Sequence, residues 1–158
     1  MPRRSSASPS AGRGRGPRLL IVDDEPTILV GMRCFFRELG YRVDCAQEKE
    51  EAEALLDHVG YDALIADLCL TAGFGPDGLG LISYARRARP EIRVVVLTAV
   101  EGAETEAVAR EQGAHAFLRK PAALDHVAQV LSGLLEPATA GAEPDGGRRD
   151  GRARQERC

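Results

Sequence analysis

Between Arg18 and Leu135 short apolar runs alternate with longer stretches whose apolar residues recur every three or four positions. The run Arg18-Leu-Leu-Ile-Val-Asp23 is continuously apolar and closed by acid, the pattern of a strand covered on both faces. Pro26 to Leu39 follows in helical period, with Ile28, Leu29, Met32, Phe35, Phe36 and Leu39 on one face. Pro26 suits a first helical turn and Gly40 a stop. Tyr41–Cys45 predicts a second strand. Glu48–Val59 predicts a charged helix that buries Ala52, Leu55, Leu56 and Val59 and closes at Gly60. Asp62-Ala-Leu-Ile-Ala-Asp67 is another apolar run ending in acid, and a Gly-rich stretch, Thr71–Gly78, separates it from a helix over Leu79–Ala88. Ile92–Thr98 is the most strand-like run of the chain. After it come a helix over Glu101–Gln112, stopped by Gly113, a short strand over His115–Leu118 and an amphipathic helix over Ala122–Leu135.

Five strands and five helices in strict alternation imply right-handed parallel crossovers and a sheet with helices on both faces. In that architecture ligands gather outside the carboxyl ends of the strands. The polar residues at those ends are Asp23-Asp24, Asp67, Thr98 and Lys120-Pro121. Carboxylates brought this close repel one another unless a cation neutralises them. Carboxylate oxygens without neighbouring His or Cys ligands suit Mg²⁺, which keeps waters and shares phosphate oxygens. A lysine can bridge a carboxylate at rest or a phosphoryl oxygen afterwards, and a threonine hydroxyl can bond the same group. An aspartate that attacks phosphorus forms an acyl phosphate, so the set predicts phosphoryl transfer.

These elements resemble the receiver domain of two-component response regulators, in order and spacing: Leu-Ile-Val-Asp23-Asp24-Glu-Pro, Leu-Ile-Ala-Asp67, Val-Val-Leu-Thr98-Ala and Phe117-Leu-Arg-Lys120-Pro121. The resemblance implies a flavodoxin-like α/β fold, a single domain with a doubly wound parallel sheet of strand order 2-1-3-4-5 and five helices. It implies that Asp67 is the phosphoacceptor, supplied by a histidine kinase or a histidine phosphotransfer protein. Asp23 and Asp24 would hold Mg²⁺ together with Asp67 and the backbone carbonyl of Cys69. Thr98 would be the switch hydroxyl and Lys120 the phosphate-sensing lysine before a cis-prone Pro121. Phe117 falls at the family's switch-aromatic position, with output through the face formed by the fourth and fifth helices.

Two departures from the family stand out. Asp77-Gly78 follows Asp67 by ten and eleven residues, so the intervening loop is longer than usual and lacks its early proline. Cys69 and Val100 occupy positions that in the family govern access of water to the phosphoryl group, and Val100 offers no polar group, which predicts slow self-dephosphorylation. Two other classes compete. A haloacid-dehalogenase-like phosphatase would want Asp-x-Asp, whereas Asp67-Leu68-Cys69 lacks the second acid; a non-phosphorylated interaction module would not need every site residue type.

Charge and cysteines narrow the picture further. The net charge of −3 divides into +5 on residues 1–18, +1 on residues 137–158 and −9 between them. An acidic body repels nucleic acid, so direct DNA binding is not expected. The division predicts a basic tail over 1–17, a receiver domain over 18–136 and a second tail over 137–158, both tails disordered. So short a remainder after the last helix predicts a stand-alone switch, monomeric or dimerising on phosphorylation, with a piece of a larger protein as the alternative. No apolar run reaches the roughly 18–20 residues that span a bilayer. Pro and Gly in the first tail argue against an amphipathic transit helix. Cys34, Cys45, Cys69 and Cys158 show no zinc-ligand spacing and read as reduced thiols of a cytoplasmic protein, Cys34 and Cys45 as core filler and Cys69 as a small packing residue. His115 and His126 read as bystanders to any metal or phosphorelay role, and His58 lies near a helix end where a cation is favourable.

Overall fold

Alternate residues of each central strand point to opposite faces of one sheet, and both faces are apolar because both are covered. The computed structural model describes residues 16–69, 77–100 and 102–136. The strands are β1 (Arg18–Val22), β2 (Arg42–Ala46), β3 (Ala63–Ala66), β4 (Arg93–Thr98) and β5 (Ala116–Arg119). The helices are α1 (Pro26–Glu38), α2 (Lys49–His58), α3 (Asp77–Ala88), α4 (Ala103–Gln112) and α5 (Leu124–Leu135). All pairings are parallel, as the alternation of elements predicts, and the strand order is β2-β1-β3-β4-β5, as the resemblance implies.

Leu20, Val22, Leu64, Ala66, Val94 and Val96 face α2, α3 and α4, packing with Leu56, Leu81 and Ile82. Leu19, Ile21, Ala63, Ile65, Val95 and Leu97 face α1 and α5, packing with Leu29, Met32, Phe36, Val127 and Leu131. Fully burying each large aliphatic side chain contributes roughly 1.5–3 kcal/mol, so these two layers hold the sheet. Gly40 after α1 and Gly113 after α4 take φ of +102° and +125°, which is why glycine stands where those helices stop.

Several expectations shift. α3 starts at Asp77, two residues before the expected Leu79, so Asp77-Gly78 is its first turn rather than loop. β2 and β5 each lie one residue later than expected. Leu39 is exposed, as the cap that follows α1 rather than part of its buried face. Cys34 is exposed and not core filler: the buried face of α1 is Leu29, Met32 and Phe36, and Cys34 lies about 200° round the helix from Met32. Cys45 is half-buried against the α1–α5 layer. The stretch 71–76, the two tails and Cys158 lie outside the described residues. Among the described residues no helix is long and apolar enough to cross a membrane.

Candidate functional site

Because all strands run the same way, residues that follow their last positions share one rim. Asp23 follows β1, Asp67 follows β3, Thr98 ends β4 and Lys120 follows β5. Backbone hydrogen bonds extend the sheet ladder to these positions: Asp23 N–H donates to Ala46 O (3.2 Å), Asp67 N–H to Val22 O (3.0 Å) and Lys120 N–H to Thr98 O (2.9 Å). The site therefore stands on the rigid end of the sheet rather than on free loop.

The side chains converge. Lys120 Nζ donates to Asp23 Oδ2 at 2.6 Å and to Asp67 Oδ2 at 3.0 Å. Asp23 and Asp67 are only 3% and 7% exposed, so this is a buried carboxylate pair sharing one ammonium. Their remaining oxygens are held locally, Asp23 Oδ1 by Glu25 N–H (2.9 Å) and Asp67 Oδ1 by Cys69 N–H (3.1 Å). Burial works against the charge on Lys120, but the bonds and charges of Asp23 and Asp67 outweigh it and raise its pKa.

Asp24 joins them from the exposed side. Carboxylate oxygens of Asp23, Asp24 and Asp67 lie within 4.8 Å of one another, three hard donors around one point. With one lysine against three carboxylates the cluster carries an excess of two negative charges, and a divalent cation matches both the donor type and the charge.

Thr98 is fully buried, and its Oγ1 accepts Val100 N–H at 3.2 Å. Phe117 is half-buried against the layer that contains α2, α3 and α4. The Lys120–Pro121 peptide is cis. Burial, and then the negative charges of Asp67 and Asp24, push the Cys69 thiol pKa up, so little reactive thiolate forms there.

Two features were hidden from sequence reasoning. Gly78, in the first turn of α3, packs on the backbone directly after Asp67: a Cβ there would lie 2.4 Å from Leu68 Cα and 2.8 Å from Asp67 O. The Asp77-Gly78 pair was legible, but not the surface it meets. His115 has a structural role apart from the site. Its Nδ1 accepts Val94 N–H at 3.0 Å and so continues the β4–β5 ladder one residue before β5 begins. Only its place immediately before a strand could have suggested this.

Residues 19–132 match the family model described as the response regulator receiver domain. The chain is 36% identical over 120 residues to the alginate biosynthesis transcriptional regulatory protein AlgB of Pseudomonas aeruginosa, covering 75% of this chain and 26% of that protein. The chain spans about a quarter to a half of the length of the curated relatives it matches. Among solved structures, a CheY-like response regulator receiver domain protein from Methanospirillum hungatei JF-1 superposes with a TM-score of 0.71 at 25% identity, over 80% of this chain and 99% of that one. A response regulator protein from Burkholderia pseudomallei, described with a phosphorylated aspartic acid, a calcium ion and citrate, superposes at 0.66 with 26% identity, over 77% of this chain and 75% of that one.

Proposed function

The chain belongs to the response regulator receiver domain family, and on that premise we propose that it is a phosphorylatable switch whose acceptor is Asp67. The observation that carries this reading is the pair of bonds from Lys120 Nζ to Asp23 and Asp67 on the strand-end rim, beside the third carboxylate of Asp24. In this reading the receiver unit runs over 18–136, with 1–17 and 137–158 outside it.

A carboxylate oxygen of Asp67 attacks the phosphorus of a phosphohistidine in a histidine kinase or phosphotransfer protein. The P–O bond forms as the P–N bond breaks, and the electron pair leaves on the imidazole nitrogen. Asp23, Asp24, Asp67 and the carbonyl of Cys69 would hold Mg²⁺, which when bound would offset the charge of the transferring group. Lys120 Nζ gives up Asp67 Oδ2 and bonds a phosphoryl oxygen in its place. The Thr98 hydroxyl turns its proton toward another oxygen. The 2.9 Å bond from Lys120 N–H to Thr98 O couples the two responding residues through the backbone. Phe117 then moves into the space that Thr98 yields, altering the α4–α5 face toward a downstream protein or a second copy.

An apolar groove of about 580 Å³ opens beside Lys120 between α1 and α5, lined by Ile28, Met32, Leu97, Pro121 and Leu124. It is where this reading seats the phosphoryl donor. DNA contact is not assigned to residues 19–136, whose balance of −9 opposes it. The protein accepts and loses a phosphoryl group rather than turning over a substrate, in the cytoplasm with its kinase.

The test is a pulse of acetyl phosphate with Mg²⁺, read by intact mass. Wild type should gain about 80 Da, the mass of a phosphoryl group, and Asp67→Asn should not. No adduct on wild type would favour a non-phosphorylated interaction module, and rapid hydrolysis of added phosphoesters would favour a phosphatase.

A further inference from the structure

At the opposite edge of the sheet the charge reverses. Three strands, β1, β2 and β4, begin on arginine, and parallel pairing sets Arg18 directly against Arg42. A pocket of about 480 Å³ opens at this edge, within the roughly 300–1,000 Å³ typical of small-molecule sites. Arg18, Arg42 and Arg89 line it, and Asp62 is the one carboxylate among its described lining residues.

The donors there exceed the acceptors. Asp62 Oδ2 is taken by Arg18 N–H at 2.9 Å, and Arg89 Nη2 stands 3.6 Å from Asp62 Oδ1, an ion pair too long for a hydrogen bond. Arg42 Nε donates to Gly16 O at 3.2 Å. The Nε–H groups of both Arg18 and Arg89 are buried without any acceptor among the described residues. Arginines at helix C-termini often only offset the negative end of the helix dipole. That role fits Arg86 and Arg89 at the end of α3, and the donors of Arg86 and Arg93 are satisfied by Ile92 O and Leu134 O. It supplies no acceptor for the buried Nε–H groups of Arg18 and Arg89, and buried donors without acceptors are costly.

We propose that the pocket lined by Arg18, Arg42 and Arg89 binds a small oxyanion-bearing ligand, with phosphate or carboxylate groups, at the pole opposite Asp67. Guanidinium forks match the paired oxygens of such groups, and each fork carries five N–H donors. Gly60 keeps the wall open beside Arg89, where a Cβ would come within 3.2 Å of Nη1. The volume exceeds that of one phosphate, which favours a diphosphate or a phosphorylated small molecule over the bare ion. The site does not depend on phosphorylation at Asp67.

The full chain, free of divalent metal and at constant ionic strength, is titrated with inorganic phosphate, pyrophosphate and succinate. Affinity is read by calorimetry and location by amide chemical shifts. Saturable shifts around Arg18, Gly60, Asp62 and Arg89 are expected, with pyrophosphate tightest, and succinate binding alone would assign a carboxylate ligand. Arg18→Gln/Arg89→Gln should weaken binding at least tenfold, while the charge-matched Arg33→Gln/Arg37→Gln should leave it within twofold. Asp62→Asn, which removes the competing carboxylate charge, should tighten binding. A melting temperature at or above that of wild type would show that the Arg18/Arg89 variant is folded; if it is lower, the Asp62→Asn result decides. The proposal is overturned if shifts are confined to Asp67, Thr98 and Lys120, or if both double variants lose affinity equally. It is also overturned if none of the three anions gives saturable binding.

Discussion

Replacing Gly78 by alanine tests how the site is held. The added Cβ would stand 2.4 Å from Leu68 Cα and 2.8 Å from the carbonyl oxygens of Asp67 and Leu68, whereas such contacts in proteins do not fall below 3.0 Å. Those obstacles are backbone, so α3 or the segment after β3 must retreat by at least about 0.6 Å. Overpacking of this kind costs typically about 1–3 kcal/mol. Asp67 is anchored by its N–H to Val22 O on one side and by Lys120 Nζ on the other, so displacement strains both bonds. A misplacement of 1 Å at a reacting group can cost on the order of 10²-fold, so about tenfold slower labelling of Asp67 by acetyl phosphate is expected here. Gly80→Ala is the control within the same helix. Its Cβ would meet only Lys49 Cε and Nζ at an ordinary 3.6 Å. That variant should be unchanged or up to about 1 kcal/mol more stable through helix propensity. Urea unfolding and intact-mass kinetics on both variants check the argument. Gly78→Ala with the wild-type midpoint and labelling rate would refute the idea that α3 buttresses the acceptor.

Other expectations follow from individual groups. Burial, and then the charges of Arg86 and Arg93, lower the pKa of His115 below its usual 6.5, so the folded state binds fewer protons there than the unfolded state. Stability from this residue is complete above about pH 6.5 and is lost as pH falls from there through the lowered folded-state value. His115→Gln, which can still accept Val94 N–H, should flatten that part of a denaturation-versus-pH curve; an unchanged slope would show that the titrating group lies elsewhere. Tyr61 is fully buried and donates to Asp44 Oδ2 at 2.6 Å, so Tyr61→Phe should cost about 1.5–3 kcal/mol in urea unfolding, the range for bonds to charged groups. Val100 supplies only its backbone N–H, to Thr98, and its apolar side chain cannot orient water. Val100→His should therefore shorten the lifetime of the phosphorylated protein by up to about 10²-fold, the low end of the gain from a positioned acid–base group; equal decay rates would dispose of that role.

The order of elements and the identity of the rim are legible in the chain's apolar pattern. Short apolar runs closed by acid fit strands buried on both faces, and their alternation with helices fits parallel crossovers, which puts Asp23, Asp67, Thr98 and Lys120 on one rim. Helix faces were legible to within a residue or two, but Leu39 and Cys34 were not: period alone does not say where a helix caps or how wide its covered stripe is. Tertiary structure alone decided what each group touches. Gly78 meets the Asp67–Leu68 backbone only because α3 closes over the end of β3. His115 replaces a backbone acceptor only because β5 starts one residue later than its apolar pattern suggests. Arg18, Arg42 and Arg89 are scattered along the chain. They line one pocket because strand register and the end of α3 bring them together, and no local pattern carries that information.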